Sequence, residues 1–300
     1  MFYKCSNFGE AWMAQRPFGN KSTIKKLDTV TDYLAFYTRA LSGKFRLSYF
    51  DAFAGTGEIP HGDNLPLFEG MVELATVIEG SARRSLKIPV PFDRYFFSDS
   101  KRSHVTALGK LRDEFPKLAT RIHILHGDAN DVIKQYCRSE LTRKDRTVLF
   151  LDPYGNQVHW STIEAIAETD GSDLWYLFPA GLGVVRQTSH NAAVRKDAED
   201  SLNLLFGDNT WFEAFTAPSD QLNWIDQVDD NRRKIATADA VTRFMISKMK
   251  TVFKGVVLDE WLPLGKKGGH WYSLIFACSN ASPAARNLAS RVAKDIMRRK

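Results

Sequence analysis

The stretch Leu47-Ser-Tyr-Phe-Asp-Ala-Phe-Ala-Gly-Thr-Gly-Glu58 runs from an apolar strand into an aspartate and then a loop with two glycines. A buried strand that delivers its carboxyl end to a tight glycine turn brings backbone N–H groups and a following helix N-terminus against a ligand, as nucleoside cofactors require. Gly55 and Gly57 suit such a turn because glycine tolerates positive φ and has no Cβ to hold a ligand away. The pattern is Asp-x-Phe-x-Gly-x-Gly: the aspartate precedes the turn, and no third glycine follows where a dinucleotide fingerprint has one. Asp51, Phe53, Ala54, Gly55, Thr56 and Gly57 are therefore candidate cofactor residues. The alternative is an ordinary strand-to-helix turn.

Upstream, residues 21 to 41 place Ile24, Leu27, Val30, Leu34, Tyr37 and Leu41 at spacings of three and four, one face of a helix that Gly43 ends. Downstream, the spacing predicts strands at Arg94–Ser98, Arg121–Leu125, Thr147–Leu151 and Leu174–Phe178, alternating with helices near 70–83, 101–114, 129–141 and 160–168. Short apolar runs separated by amphipathic helices imply a mostly parallel sheet covered on both faces, an α/β fold of Rossmann-like type. Gly255–Leu264 and Trp271–Cys278, joined by a glycine-rich loop, read as a C-terminal antiparallel hairpin closing that sheet. About 75 residues before it read as helices, because a structureless loop of that length is uncommon in a compact domain. The expected organisation is a helical extension over 1–44, a core over 45–179 and 255–300, and a helical insert over 180–254, a lid or partner-binding unit.

Bulk properties narrow the function classes. A chain of 300 residues, 44% hydrophobic and 25% charged, can bury a large core. It has no apolar run long enough to cross a membrane and no export-like start, so a cytoplasmic location is expected. Cys5, Cys137 and Cys278 are far apart, with no C-x-x-C spacing, which argues against a disulfide framework or a thiolate zinc site. A net charge of +6 is compatible with a polyanionic partner without requiring one.

In an open α/β sheet, ligands sit beyond the carboxyl ends of the strands, and four consecutive predicted strands here end in aspartate: Asp51, Asp99, Asp128 and Asp152. Asp99, with Ser100, is placed to accept from ribose hydroxyls or to cap a helix. Asp128, with the N–H of Ala129, is placed against an adenine edge or again as a cap. His123 and His126 raise a metal question, but three residues apart on a strand they point to opposite faces. Asp152-Pro153-Tyr154-Gly155 follows the fourth strand. Pro153 fixes its own φ and holds Asp152 extended, so that acceptors for an amino group are set before a substrate arrives. Tyr154 offers a ring to a base, worth roughly 1–3 kcal/mol when stacked. A plain Asp-Pro-x-Gly turn is the alternative. Lys266, Lys267 and His270 with the insert's arginines suit phosphate contact, or a solvated surface.

With Asp51–Gly57, His126-Gly-Asp128 and Phe150-Leu-Asp-Pro-Tyr-Gly155 together, most of the chain resembles the three-Cys-motif partner family (TcmP), a class I S-adenosylmethionine methyltransferase-like group. Gly70-Met-Val-Glu73 stands where that family has Gly-Ser-Pro-Leu, Tyr154 replaces a phenylalanine, and Ser98-Asp99-Ser100 replaces an acidic pair. The resemblance implies S-adenosylmethionine as cofactor and a partner protein that carries the three-cysteine motif, which this chain's own cysteines do not form. The Asp152-Pro-Tyr-Gly155 turn also looks like that of tRNA guanine-amino dimethyltransferases, which implies an exocyclic amino group of a nucleic acid as acceptor. A catalytically inactive scaffold and a Mg²⁺-dependent nuclease built on the strand-end aspartates are the other readings.

Overall fold

The computed structural model describes residues 21–59, 78–187, 195–218, 232–265 and 269–300. Helix α1 spans Lys21–Leu41 and buries Leu27, Val30, Tyr33, Leu34 and Tyr37 as its periodicity predicts. Its phase differs in one respect: Ile24 is 37% exposed, while Lys26 is buried. A buried lysine needs a partner, and Lys26 has one at the strand ends.

Eight strands form the central sheet: β1 Arg46–Asp51, β2 Arg94–Asp99, β3 Ile122–His126, β4 Asp145–Leu151, β5 Ser172–Phe178, β6 Val256–Val257, β7 Leu262–Leu264 and β8 Tyr272–Cys278. Their order is β3-β2-β1-β4-β5-β8-β6, with β7 also paired to β8. The first five are parallel. Strand β8 runs antiparallel to β5 and pairs with β6 and β7 along its other edge. The expected hairpin is present, its first arm divided into β6 and β7. The fold is thus α/β and Rossmann-like, mostly parallel with an antiparallel C-terminal pair.

The sheet alternates its side chains between two cores. Phe50, Phe96, Leu149, Leu151, Tyr176 and Phe178 face one; Tyr49, Tyr95, Phe97, Val148, Phe150 and Trp175 face the other. The second is closed by α1, by α2 (Ser81–Leu86), α3 (Arg102–Gly109) and the C-terminal helix Pro283–Arg298. The first is closed by α4 (Ala129–Ser139) and α5 (Trp160–Ala167), joined by helices from the 180–254 region: α6 Lys196–Phe206, α7 Thr210–Phe215 and α8 Ala238–Val252. Leu202, Phe206, Trp211, Val241 and Met245 of that region belong to the same buried cluster as the sheet.

Two expectations are corrected. The chain does not pass from the glycine turn into a helix: Glu58–Ile59 pairs antiparallel with Ile78–Glu79, and α2 starts only at Ser81. The helix expected over 70–83 therefore does not extend through its described part; its remainder, with Gly70–Glu73, lies outside the described residues, as do Cys5, Lys266 and Lys267. The helix expected over 101–114 is broken after Gly109, and Leu111–Glu114 forms a separate turn. At the amino ends of β1, β2 and β4, buried Asp145 ties Arg46 and Arg94 together, which leaves that edge to structure and the opposite edge to chemistry.

Candidate active site

Strand register assembles the site. Asp51 pairs with Phe97 of β2 on one side and with Phe150 of β4 on the other. Asp99 and Asp152 each follow those partners by two residues, so both flank Asp51 just beyond the strand ends. Asp128 likewise follows His126, the β3 partner of Asp99, by two. From β1 the chain order runs outward in both directions, so the switch point lies between β1 and β4, and Asp51 and Asp152 border it.

The glycine turn is fixed against β2. Gly55 (φ 60°) and Gly57 (φ 77°) take left-handed conformations that a side chain would strain. Ala54 N–H donates to Ser98 O at 3.0 Å, and Gly55 N–H to Asp99 Oδ2 at 3.1 Å. Asp99 Oδ1 accepts from Lys101 N–H at 2.7 Å, and His104 Nδ1 stands 3.1 Å from Oδ2. Asp99 therefore joins the turn to the start of α3; Ser100 beside it is exposed. Each carboxylate oxygen still has acceptor capacity, since it carries two lone pairs.

Asp51 is buried, and Phe53 N–H donates to its Oδ1 at 3.3 Å. Its Oδ2 has no hydrogen-bond partner among the described residues, nor do the buried hydroxyls of Tyr49 and Ser98. Burial, helped by the nearby Asp152 charge, pushes the Asp51 carboxyl up to about 7, against the downward pull of Ser81, the Phe53 N–H and Lys26. Burial first, then the charges of Asp51 and Asp152, pushes Tyr49 well above its ordinary value.

Asp152 is met by a residue that sequence reading missed. Lys26 Nζ, carried in by α1, donates to Asp152 Oδ2 at 2.5 Å and lies 6.0 Å from the Phe150 ring centroid. Lys26 lies off the face formed by Ile24, Leu27, Val30, Leu34, Tyr37 and Leu41, so periodicity gives no signal for it. Pro153 is buried and Tyr154 is 51% exposed, so a rigid backbone carries a half-exposed ring. The loop after them is tied on both sides. Tyr154 N–H donates to Gln157 Oε1 at 2.9 Å, and Asn156 Nδ2 to Gln187 Oε1 at 2.9 Å. Asn130 Nδ2 reaches Gln157 O at 2.9 Å, while its Oδ1 accepts from His159 N–H and Thr162 Oγ1.

Asp128 caps α4 through Asn130 N–H at 2.9 Å and is exposed; Ala129 is buried behind it. His123 stacks on Phe96 with centroids 4.8 Å apart. Among the described residues no cluster of three or more His, Cys, Asp or Glu is arranged to hold a metal. A surface recess of roughly 600 Å³ beside Asp32, Glu79, Arg84 and Lys87 contains none of the motif residues.

Strand order and register make this a mostly parallel Rossmann-like sheet with the antiparallel strand β8 beside β5. No family model matches the chain, and no curated protein matches it. Among solved structures, protein LPL1258 of Legionella pneumophila is 14% identical over 66% of this chain and 77% of its own, with a TM-score of 0.42. Spermidine synthase of Thermotoga maritima is 9% identical over 90% and 71%, at 0.39. The plantazolicin methyltransferase BamL, solved with SAH, is 10% identical over 86% and 84%, at 0.33. No described helix is long and apolar enough to cross a membrane.

Proposed function

We propose that this chain is an S-adenosylmethionine-dependent methyltransferase acting on an exocyclic amino group of a nucleic-acid base. The observation that carries the reading is the register that sets Asp99 and Asp152 on either side of Asp51, at the switch point and beside a turn of two left-handed glycines. The residues present fit the cofactor. Asp51 Oδ2 is a buried acceptor with no well-formed hydrogen bond among the described residues, and a methionine amino group would give it one. Gly55 and Gly57 let the ligand approach the main chain, and Asp99 has lone pairs left for ribose hydroxyls. When bound, the cofactor supplies an electrophilic sulfonium methyl group.

The chain's own residues do the remaining work. Asp152 accepts from the substrate amino group and holds it in line, and Tyr154 stacks on the base, so the contribution is positioning and local electrostatics. The motif resemblance to the three-Cys-motif partner family supports the further reading that the protein works beside a three-cysteine-motif protein.

Titration calorimetry with S-adenosylmethionine tests the cofactor half directly. A saturable heat is expected, lost in the Gly55→Val variant, where a branched side chain would have to take positive φ. No binding at millimolar ligand overturns the reading.

A further inference from the structure

Lys26 is the one charged residue on a buried helix face made of Leu27, Thr29, Val30, Tyr33, Leu34, Tyr37 and Thr38. Its side chain is 10% exposed, and its Nζ is 2.5 Å from Asp152 Oδ2. Packing alone does not ask for a lysine here. A methionine fills similar space without the desolvation of a buried ammonium. The helix that carries it is also held unusually firmly. Ser22 Oγ donates to Gly265 O at 2.6 Å, Arg84 reaches Asp28 at 2.6 Å, and Tyr33 OH reaches Asp173 at 2.6 Å. Lys26 is thus delivered to Asp152 from a fixed backbone, the arrangement a recognition pair needs.

An ammonium has three N–H donors and a carboxylate two acceptor oxygens, so the bond between them leaves donor and acceptor capacity side by side. We infer that Lys26 is a specificity-determining residue of the acceptor subsite: with Asp152 it reads a base edge on which an amino group lies next to a ring acceptor. This rests on the methyltransferase reading for its purpose, though not for its test. Asp152 accepts from the amino group, and Lys26 donates to the neighbouring ring nitrogen.

Cytosine, with its 4-amino group beside N3, and adenine, with its 6-amino group beside N1, present that pattern. Uracil and hypoxanthine present its reverse, a carbonyl toward the carboxylate and a ring N–H toward the ammonium. Both contacts then fail together, with a carbonyl set against the Asp152 carboxylate and a ring N–H against the Lys26 ammonium, a mismatch of polarity that shape alone does not give. Tyr154, half exposed and two residues beyond Asp152, stacks on either kind of base and does not discriminate.

The test is direct binding without cofactor. Fluorescence titrations compare single-stranded hexacytidylate with hexauridylate, which share backbone and charge and differ at the edge that the pair reads. Wild-type protein is expected to bind hexacytidylate at least about fivefold more tightly, and Lys26→Met to bring the two within about twofold. Lys26→Gln, which keeps a donor without the charge, is expected to retain a preference for cytidylate. Equal binding of the two by wild type overturns the inference, and that result needs no variant to fold. So does a folded Lys26→Met protein that keeps the full ratio, since Lys26 would then only brace Asp152. Because S-adenosylmethionine is absent, this outcome is independent of the calorimetry above, and either can fail alone.

Discussion

At the residue scale, Asp51 is where stability and function pull apart. Burial, with the Asp152 charge beside it, raises its carboxyl to about 7, whereas an unfolded chain titrates near 4. The native state therefore holds the extra proton between about pH 4 and 7. Stability is greatest below that window, falls as pH rises through it, and stays reduced above 7, where the native state must carry a desolvated charge. Asp51→Asn removes that cost. Relative to wild type, the variant is expected to be about 2.5 kcal/mol better off at pH 8 than at pH 5, measured by urea unfolding at both. Asp173, raised by burial to about 6, leaves a shared slope between about pH 4 and 6 in both proteins. The same variant should bind S-adenosylmethionine less tightly, because an amide replaces one of the two carboxylate oxygens offered to the ligand. A variant that gains nothing on wild type between pH 5 and pH 8 would mean that the charge is compensated after all. A residue that weakens its own fold and strengthens a ligand site is the pattern expected of an active-site group.

At the element scale, two glycines of similar φ separate backbone strain from lack of space. Gly43 closes α1 at φ 75° with no atom within 4 Å of where a Cβ would stand, whereas Gly207 closes α6 at φ 81° with the Trp160 ring 2.3 Å from the corresponding point. Gly43→Ala should cost about 1 kcal/mol, the left-handed penalty alone. Gly207→Ala should cost about 3 kcal/mol or more, because Trp160 at the start of α5 must move. Equal shifts in urea midpoint for the two variants would show that the α6–α5 contact yields freely. Elements of this kind were largely legible in the sequence. Helix α1 keeps the bounds that its periodicity and Gly43 set, the parallel strands start or end within two residues of their apolar runs, and all four strand-end aspartates stand where a period of two and the turn residues put them. What stayed hidden depends on partners distant in sequence. Lys26 finds Asp152 across 126 residues, and helical periodicity can assign a lysine to a face without saying what waits there. The Glu58–Ile59 ladder is two residues long, too short for alternation to show. Asn130 and Asn156 bind through loops whose conformations no periodic signal encodes.

At the scale of the whole molecule, the question is whether the 180–254 region is a separate unit or one wall of the core. Its helices contribute Leu202, Leu205, Phe206, Trp211, Phe215, Val241 and Met245 to the cluster that includes Phe50, Leu149 and Ile275 of the sheet. Two rings of that region, Phe206 and Phe215, meet at 5.6 Å, and Phe206 also meets Phe178 of β5 at 6.3 Å. Apolar surface of this kind is stable only while both sides of it are present, so neither layer keeps its core if the other leaves. Helix α1 couples the opposite face in the same way, with Tyr33 packed edge-on against Trp175 at 5.4 Å. Calorimetric unfolding is therefore expected to show one transition whose calorimetric and van't Hoff enthalpies agree, despite a length at which chains commonly divide. Two resolved transitions, the first of them removed by Phe206→Ala, would instead make the region an independently folding lid. With a single transition, Asp51 and Asp152 stand at a switch point built into one cooperative body, and loss of either helical layer would loosen the strand register on which the site depends.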